Sequence, residues 1–181
     1  MIFVLPDGRD SWYWDAPADP KLKMESFFVE ELVPYIDENY RTIADAKHRA
    51  ITGLSMGGHG SLWLGMRHSD IWGSAGSMSG GVNINKPKWA KSWKMAQRLG
   101  SQAQYPQRWK DHTVITLVKS LKPGQLNITF DCGVDDFFIG VNRELHEEML
   151  KYKIPHDYSE RPGKHSHSYW KNSIRYHLQY F

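Results

Sequence analysis

Arg49-Ala50-Ile51-Thr52-Gly53-Leu54-Ser55-Met56-Gly57-Gly58-His59-Gly60 is the stretch on which the reading of this chain turns. Its first part, Arg49 to Gly53, has the composition of a short buried strand. From Gly57 to Arg67, Leu62, Leu64 and Met66 recur at helical spacing. Gly53-Leu54-Ser55-Met56-Gly57 between them therefore forms a strand-to-helix turn with serine at its apex. Side chains two residues either side of that serine would collide, which accounts for glycine at both positions. A hydroxyl held on such a turn stands clear of its surroundings. The helix behind it points its first N–H groups, Met56 foremost, at any negative charge developing in front.

Outward from this turn, strands alternate with helices. Ile2 to Leu5 is an apolar run that reads as a buried strand, closed by the turn residues Pro6-Asp7-Gly8. A helix is expected over Met24 to Tyr40, kinked or strained at Pro34. Trp72 to Ser79 and Leu126 to Phe130 read as further strands. Val141 to Tyr152 reads as an amphipathic helix, Asp157 to Ser159 as a last strand and Ser168 to Phe181 as a closing helix. Helical patches are expected near Trp89 to Leu99 and Val114 to Leu121. This order predicts an α/β fold, a mainly parallel sheet flanked by helices, in one domain over residues 1–181. In such sheets ligands sit beyond the carboxyl ends of the strands.

A serine at an elbow needs a base, and the base needs an acid to orient it. After the strand ending at Phe130 come Asp131-Cys132-Gly133-Val134-Asp135-Asp136-Phe137-Phe138. Asp136 is the favoured acid and Asp135 the runner-up, with Asp131 assigned to closing the strand. The base comes from Gly163-Lys164-His165-Ser166-His167, where His165 and His167 compete. His59 lies on the helix itself and is read as structural. Ser77 and Ser79, in Gly76-Ser77-Met78-Ser79-Gly80-Gly81, mimic a nucleophile motif without a clear helix to follow and are read as a strand end lining the cleft. The chemistry so assembled is acyl transfer, with an oxyanion held by the Met56 amide. It calls for no cofactor and no metal.

Three segments carry a family resemblance: Gly53 to Gly60, Cys132 to Phe138, and Gly163-Lys164-His165-Ser166-His167-Ser168-Tyr169-Trp170. Val4-Leu5-Pro6-Asp7-Gly8 with Ser11-Trp12-Tyr13 adds to it. Together they resemble the α/β-hydrolase family that includes S-formylglutathione hydrolases (esterase D), bacterial tributyrin and feruloyl esterases, and mycolyltransferases. The resemblance implies Ser55 as nucleophile, Asp136 as acid and His165 as base, within a Gly-x-His-x-Trp-x-x-Trp pattern whose first tryptophan is replaced by His167. It implies a serine carboxylesterase acting on small esters or thioesters. An acyltransferase, and a binding protein of the same fold with weak or no turnover, are the alternatives. Members of the family carry further strands and a His-Gly loop, donor of a second oxyanion N–H, ahead of the strand matching Ile2 to Leu5. The fold is thus expected to be N-terminally shortened, lacking a strand between those holding Leu5 and Ile51. An unfilled strand position favours association between copies, so a homo-oligomer is expected.

Composition narrows the rest. Hydrophobic residues make up 40% of the 181 and charged residues 24%, ordinary for a globular domain. Net charge is +3, and its densest basic run, Lys86 to Lys94, is interrupted by Trp89 and Trp93. That pattern favours a solvated surface over a nucleic-acid patch. Cys132 is the only cysteine, so no internal disulfide forms. No apolar stretch is long enough for a membrane helix, and the compartment is left open. Of the eight tryptophans, Trp12, with Tyr13, is placed at the substrate. Trp14, Trp89 and Trp93 are divided between cleft wall and core.

Overall fold

The computed structural model describes residues 1–89 and 91–181. Four parallel strands form one sheet in the order β1 (Ala50–Leu54), β2 (Ser74–Met78), β3 (Asn127–Gly133) and β4 (Asp157–Arg161). Helix α1 (residues 24–39) precedes β1, and α2 (Met56–Arg67) links β1 to β2. Short helices α3 (Met95–Leu99), α4 (Pro106–Asp111) and α5 (Val114–Leu117) fill the long β2–β3 connection. Helix α6 (Ile139–Lys151) joins β3 to β4, and α7 (His167–Tyr180) ends the chain.

Successive residues of a strand face opposite sides of the sheet, and β2 shows both faces covered. Ala75 meets Gly65 of α2, whereas Gly76 lies under the imidazole of His177 from α7. Small residues in β2 thus let a helix approach closely on each side. The main core gathers Trp14, Leu62, Leu64, Ile128, Phe130, Leu145 and Met149.

Pro34 leaves its mark on α1. The helix runs as α over Met24–Ser26, widens to π over Phe27–Leu32 and returns to α over Val33–Asn39. Proline has no N–H for the carbonyl one turn back, and the wider turn takes up the strain just ahead of it. α4 was not expected from the sequence. Residue 90, inside the helical patch expected over Trp89 to Leu99, lies outside the described residues. Within that patch Pro87–Trp89 forms a 3-10 turn and Met95–Leu99 a helix.

The strand expected over Ile2 to Leu5 is corrected by the structure. These residues pair with none of the four strands, and Phe3 and Leu5 are 64% and 92% exposed. An apolar, β-prone run becomes a strand only beside a partner with free N–H and C=O groups, and none adjoins it here.

Candidate active site

Ser55 follows the last residue of β1 and caps the start of α2 with φ 55° and ψ −114°. Such a backbone conformation is costly for a residue with a Cβ and persists only where its surroundings hold it. Here the Ser55 N–H donates to the Met78 carbonyl (2.9 Å), and its own carbonyl accepts from the His59 N–H (3.1 Å). A Cβ on Gly53 would stand 2.5 Å from the Gly57 carbonyl oxygen, so the elbow closes only with glycine there. Met56 opens α2, which leaves its N–H without an intrahelical acceptor.

The other two expected partners come from the neighbouring strand ends. Asp136 lies three residues beyond β3 and His165 four beyond β4. Two backbone bonds fasten their loops together: Val134 N–H to the Arg161 carbonyl (2.9 Å) and Asp135 N–H to the Gly163 carbonyl (3.0 Å). His165 Nδ1 is 2.8 Å from Asp136 Oδ2, and His165 Nε2 is 2.8 Å from Ser55 Oγ. Asp136 is buried, and its second oxygen accepts the Phe138 N–H at 2.8 Å. An ionised carboxylate only accepts, so Nδ1 carries the proton and Nε2 is free to accept from the serine hydroxyl. Phe137 (ring centroids 4.3 Å) and Trp170 (4.8 Å, perpendicular) flank the imidazole and fix its plane.

The remaining candidates separate in space. Asp135 is exposed and contributes its backbone. His167 is the first residue of α7, is exposed, and packs on Trp170 without entering the row. His59 is fully buried, set between the Gly81 carbonyl (3.0 Å from Nδ1) and the Trp14 indole N–H (3.1 Å from Nε2). Burial pushes its pKa down to about 3, which keeps it neutral. Ser77 and Ser79 are fully buried, Ser77 beneath Gly58 and Gly80, so neither lines a cleft. Trp12, at 2% exposure, packs against Trp14, His59 and Trp93 and forms the floor beneath Trp93, not an open wall. Tyr13 is half-buried over α2. Trp14 and Trp89 belong to the core, while Trp93 stays 43% exposed and stacks on exposed Phe137 beside His165.

Sequence reasoning missed a second polar row on the opposite face of the sheet. Asp131, expected only to close its strand, is buried and accepts from Tyr169 Oη (2.7 Å), His177 Nε2 (2.9 Å) and Ser173 Oγ. His177 Nδ1 lies 2.8 Å from Thr52 Oγ1. Spacing of Tyr169, Ser173 and His177 at every fourth position of α7 was the available signal. Burial alone would raise the Asp131 pKa, but hydrogen bonds from His177, Ser173 and Tyr169 outweigh it and hold the carboxyl below its ordinary value. A cleft of about 330 Å³ lined by Glu25, Trp63, Arg67, His68 and His112 opens towards the far end of α2 and includes none of Ser55, Asp136 and His165. Among the described residues no group of three or more His, Cys, Asp or Glu is placed to hold a metal ion, and no helix is long and apolar enough to cross a membrane.

Comparison with known proteins places the chain in a family. A family model described as "Putative esterase" matches residues 1–181. An esterase of Mycobacterium tuberculosis is 28% identical over 190 residues, covering 91% of this chain and 41% of that protein. The S-formylglutathione hydrolase of Mus musculus is 29% identical over 211 residues, covering 99% of this chain and 72% of the mouse protein. A solved structure described as a ferulic acid esterase superposes with a TM-score of 0.75 at 31% identity, over 93% of this chain and 64% of that one. The chain thus spans less than half the length of the mycobacterial esterase and about two thirds of the ferulic acid esterase.

Proposed function

The chain belongs to the esterase family and has its α/β-hydrolase fold, and from that premise we propose that it hydrolyses small carboxylic esters or thioesters through an acyl-enzyme on Ser55. The observation that carries this reading is the unbroken row Ser55 Oγ, His165 Nε2, His165 Nδ1, Asp136 Oδ2, with both contacts at 2.8 Å.

In this reading His165 Nε2 takes the serine proton as Oγ attacks the ester carbonyl. The carbonyl electron pair moves onto oxygen, and the Met56 N–H faces the resulting charge. Asp136 stabilises the imidazolium without becoming protonated. The imidazolium then protonates the leaving alcohol or thiol as the tetrahedral carbon collapses. Water enters by the same route, with His165 again as base, and releases the acid. Trp93 and Phe137, exposed beside His165, form one wall of the substrate site.

The unpaired edge of β1 further supports self-association of the chain, the partner being a second copy.

The test is labelling with a fluorophosphonate probe alongside hydrolysis of p-nitrophenyl acetate. Wild-type protein should label and turn over, and Ser55→Ala should abolish both while unfolding at the same temperature. Folded wild-type protein that neither labels nor hydrolyses, or activity that survives Ser55→Ala, would sink the proposal.

A further inference from the structure

An oxyanion is stabilised best by more than one fixed donor, and the Met56 amide is a single one. A side chain from the loop ahead of α1 approaches the same end of α2. Trp12 and Tyr13 both hold left-handed backbone conformations, with φ of 56° and 64°. Two such residues in succession are unusual outside glycine, and Ser11 fixes the turn. Its Oγ accepts the Tyr13 N–H (2.9 Å) and donates to the Gly8 carbonyl (2.6 Å).

The outcome is an aromatic ring laid along α2. Its Cγ–Cδ2 edge fills the space a side chain on Gly60 would need, and its hydroxyl lies 3.5 Å from where a Cβ on Gly57 would stand. Gly60 is one turn further along the helix than Gly57. The ring axis therefore points back along α2, towards the end where Met56 and Ser55 sit. Phe28 braces the ring edge-on at 5.5 Å. Among the described residues the Tyr13 hydroxyl makes no hydrogen bond. Burial first, and the charge of Asp7 second, raise its pKa, so the phenol keeps its proton.

We propose that the Tyr13 hydroxyl is a second oxyanion donor, acting beside the Met56 amide. This rests on the acyl-enzyme reading of Ser55. As the Ser55 oxygen bonds to the carbonyl carbon, the π pair shifts to the carbonyl oxygen, which accepts from Met56 N–H and Tyr13 O–H together. No proton leaves the phenol. When the tetrahedral carbon collapses the pair returns, and the leaving group takes its proton from His165.

Tyr13→Phe is the decisive variant, because it keeps the ring over Gly57 and Gly60 and removes only the hydroxyl. With p-nitrophenyl acetate its kcat should fall on the order of 10²–10³-fold, the loss seen when one oxyanion donor is removed. KM and the thermal midpoint should be unchanged. Affinity for phenylboronic acid, whose serine adduct carries an oxygen in the oxyanion position, should drop alongside kcat. A kcat equal to wild type overturns the proposal, as does a loss accompanied by a lowered thermal midpoint or confined to KM. Ser55→Ala is measured in parallel. Activity lost in Ser55→Ala and intact in Tyr13→Phe sinks the Tyr13 assignment alone. Wild-type protein without turnover, or turnover independent of Ser55, sinks the acyl-enzyme reading and this assignment with it.

Discussion

Histidines 59, 165 and 167 carry the same side chain within reach of the same motifs, and their surroundings separate them. From the sequence, His165 and His167 stood on one loop and nothing local divided them. The division comes from where α7 begins: His165 sits in the loop facing Ser55, and His167 is turned outwards by the first turn of the helix. Asp135 and Asp136 divide likewise, through a tight turn in which the Asp136 N–H bonds to the Gly133 carbonyl (3.0 Å). Motif spacing could nominate these residues, but facing is a property of the folded turn. His59 was legible as structural, and its burial has a measurable consequence. Its folded pKa of about 3 lies below the unfolded value of about 6.5. The unfolded chain therefore binds this proton first as pH falls, and the stability gained from a neutral His59 is complete above about 6.5 and lost below it. Chemical denaturation between pH 6.5 and 5 should show wild type losing up to about 1.4 kcal/mol more per pH unit than His59→Gln. Parallel pH slopes for the two proteins would mean that His59 is not held neutral by the fold.

Elements were legible wherever their own residues set their partners. β2 was found from its run of small residues and β3 from its alternation, although β3 runs on three residues past Phe130 to Gly133. α6 was found from its amphipathic spacing. The short helices of the β2–β3 connection were blurred, since helices of four to six residues carry barely one turn of pattern. Least legible was the joint between α7 and the sheet, where Tyr169, Ser173 and His177 converge on Asp131 from one helix face. A hydrogen bond to a buried charged group contributes about 1.5–3 kcal/mol. Tyr169, Ser173 and the Arg161 guanidinium (3.4 Å away) remain beside the carboxylate, which places His177→Ala at the lower end, about 1.5 kcal/mol. Denaturant unfolding checks the size. Hydrolysis in the folded variant should be unchanged, because His177 bonds to Asp131 and Thr52 and to none of Ser55, Asp136 and His165. A stability within experimental error of wild type would show that this row does not anchor α7.

At the scale of the molecule, β1 carries the nucleophile elbow and yet stands at the edge of the sheet, paired on one side only, with β2. Its outer N–H and C=O groups are unpaired by any strand among the described residues. Edge strands of soluble proteins are ordinarily protected by charge, bulges or cover, and Ala50-Ile51-Thr52-Gly53-Leu54 has no charge at all. The same molecule exposes an apolar, β-prone segment over residues 1–5 that pairs with no strand among the described residues, Phe3 at 64% and Leu5 at 92% exposure. A free strand edge and a free strand-forming segment in every copy satisfy each other if one copy lends its residues 1–5 to the β1 edge of another. In a two-fold pair each copy would then give one strand and receive one. Light scattering should therefore report a dimer or larger species for the wild-type chain. The double variant Phe3→Lys and Leu5→Lys should shift it to monomer, because charged ammonium groups oppose pairing along the edge, while unfolding at the same temperature. A monodisperse wild-type monomer across the concentration range would overturn the exchange. An oligomer indifferent to both lysines would move the interface away from residues 1–5 to some other surface.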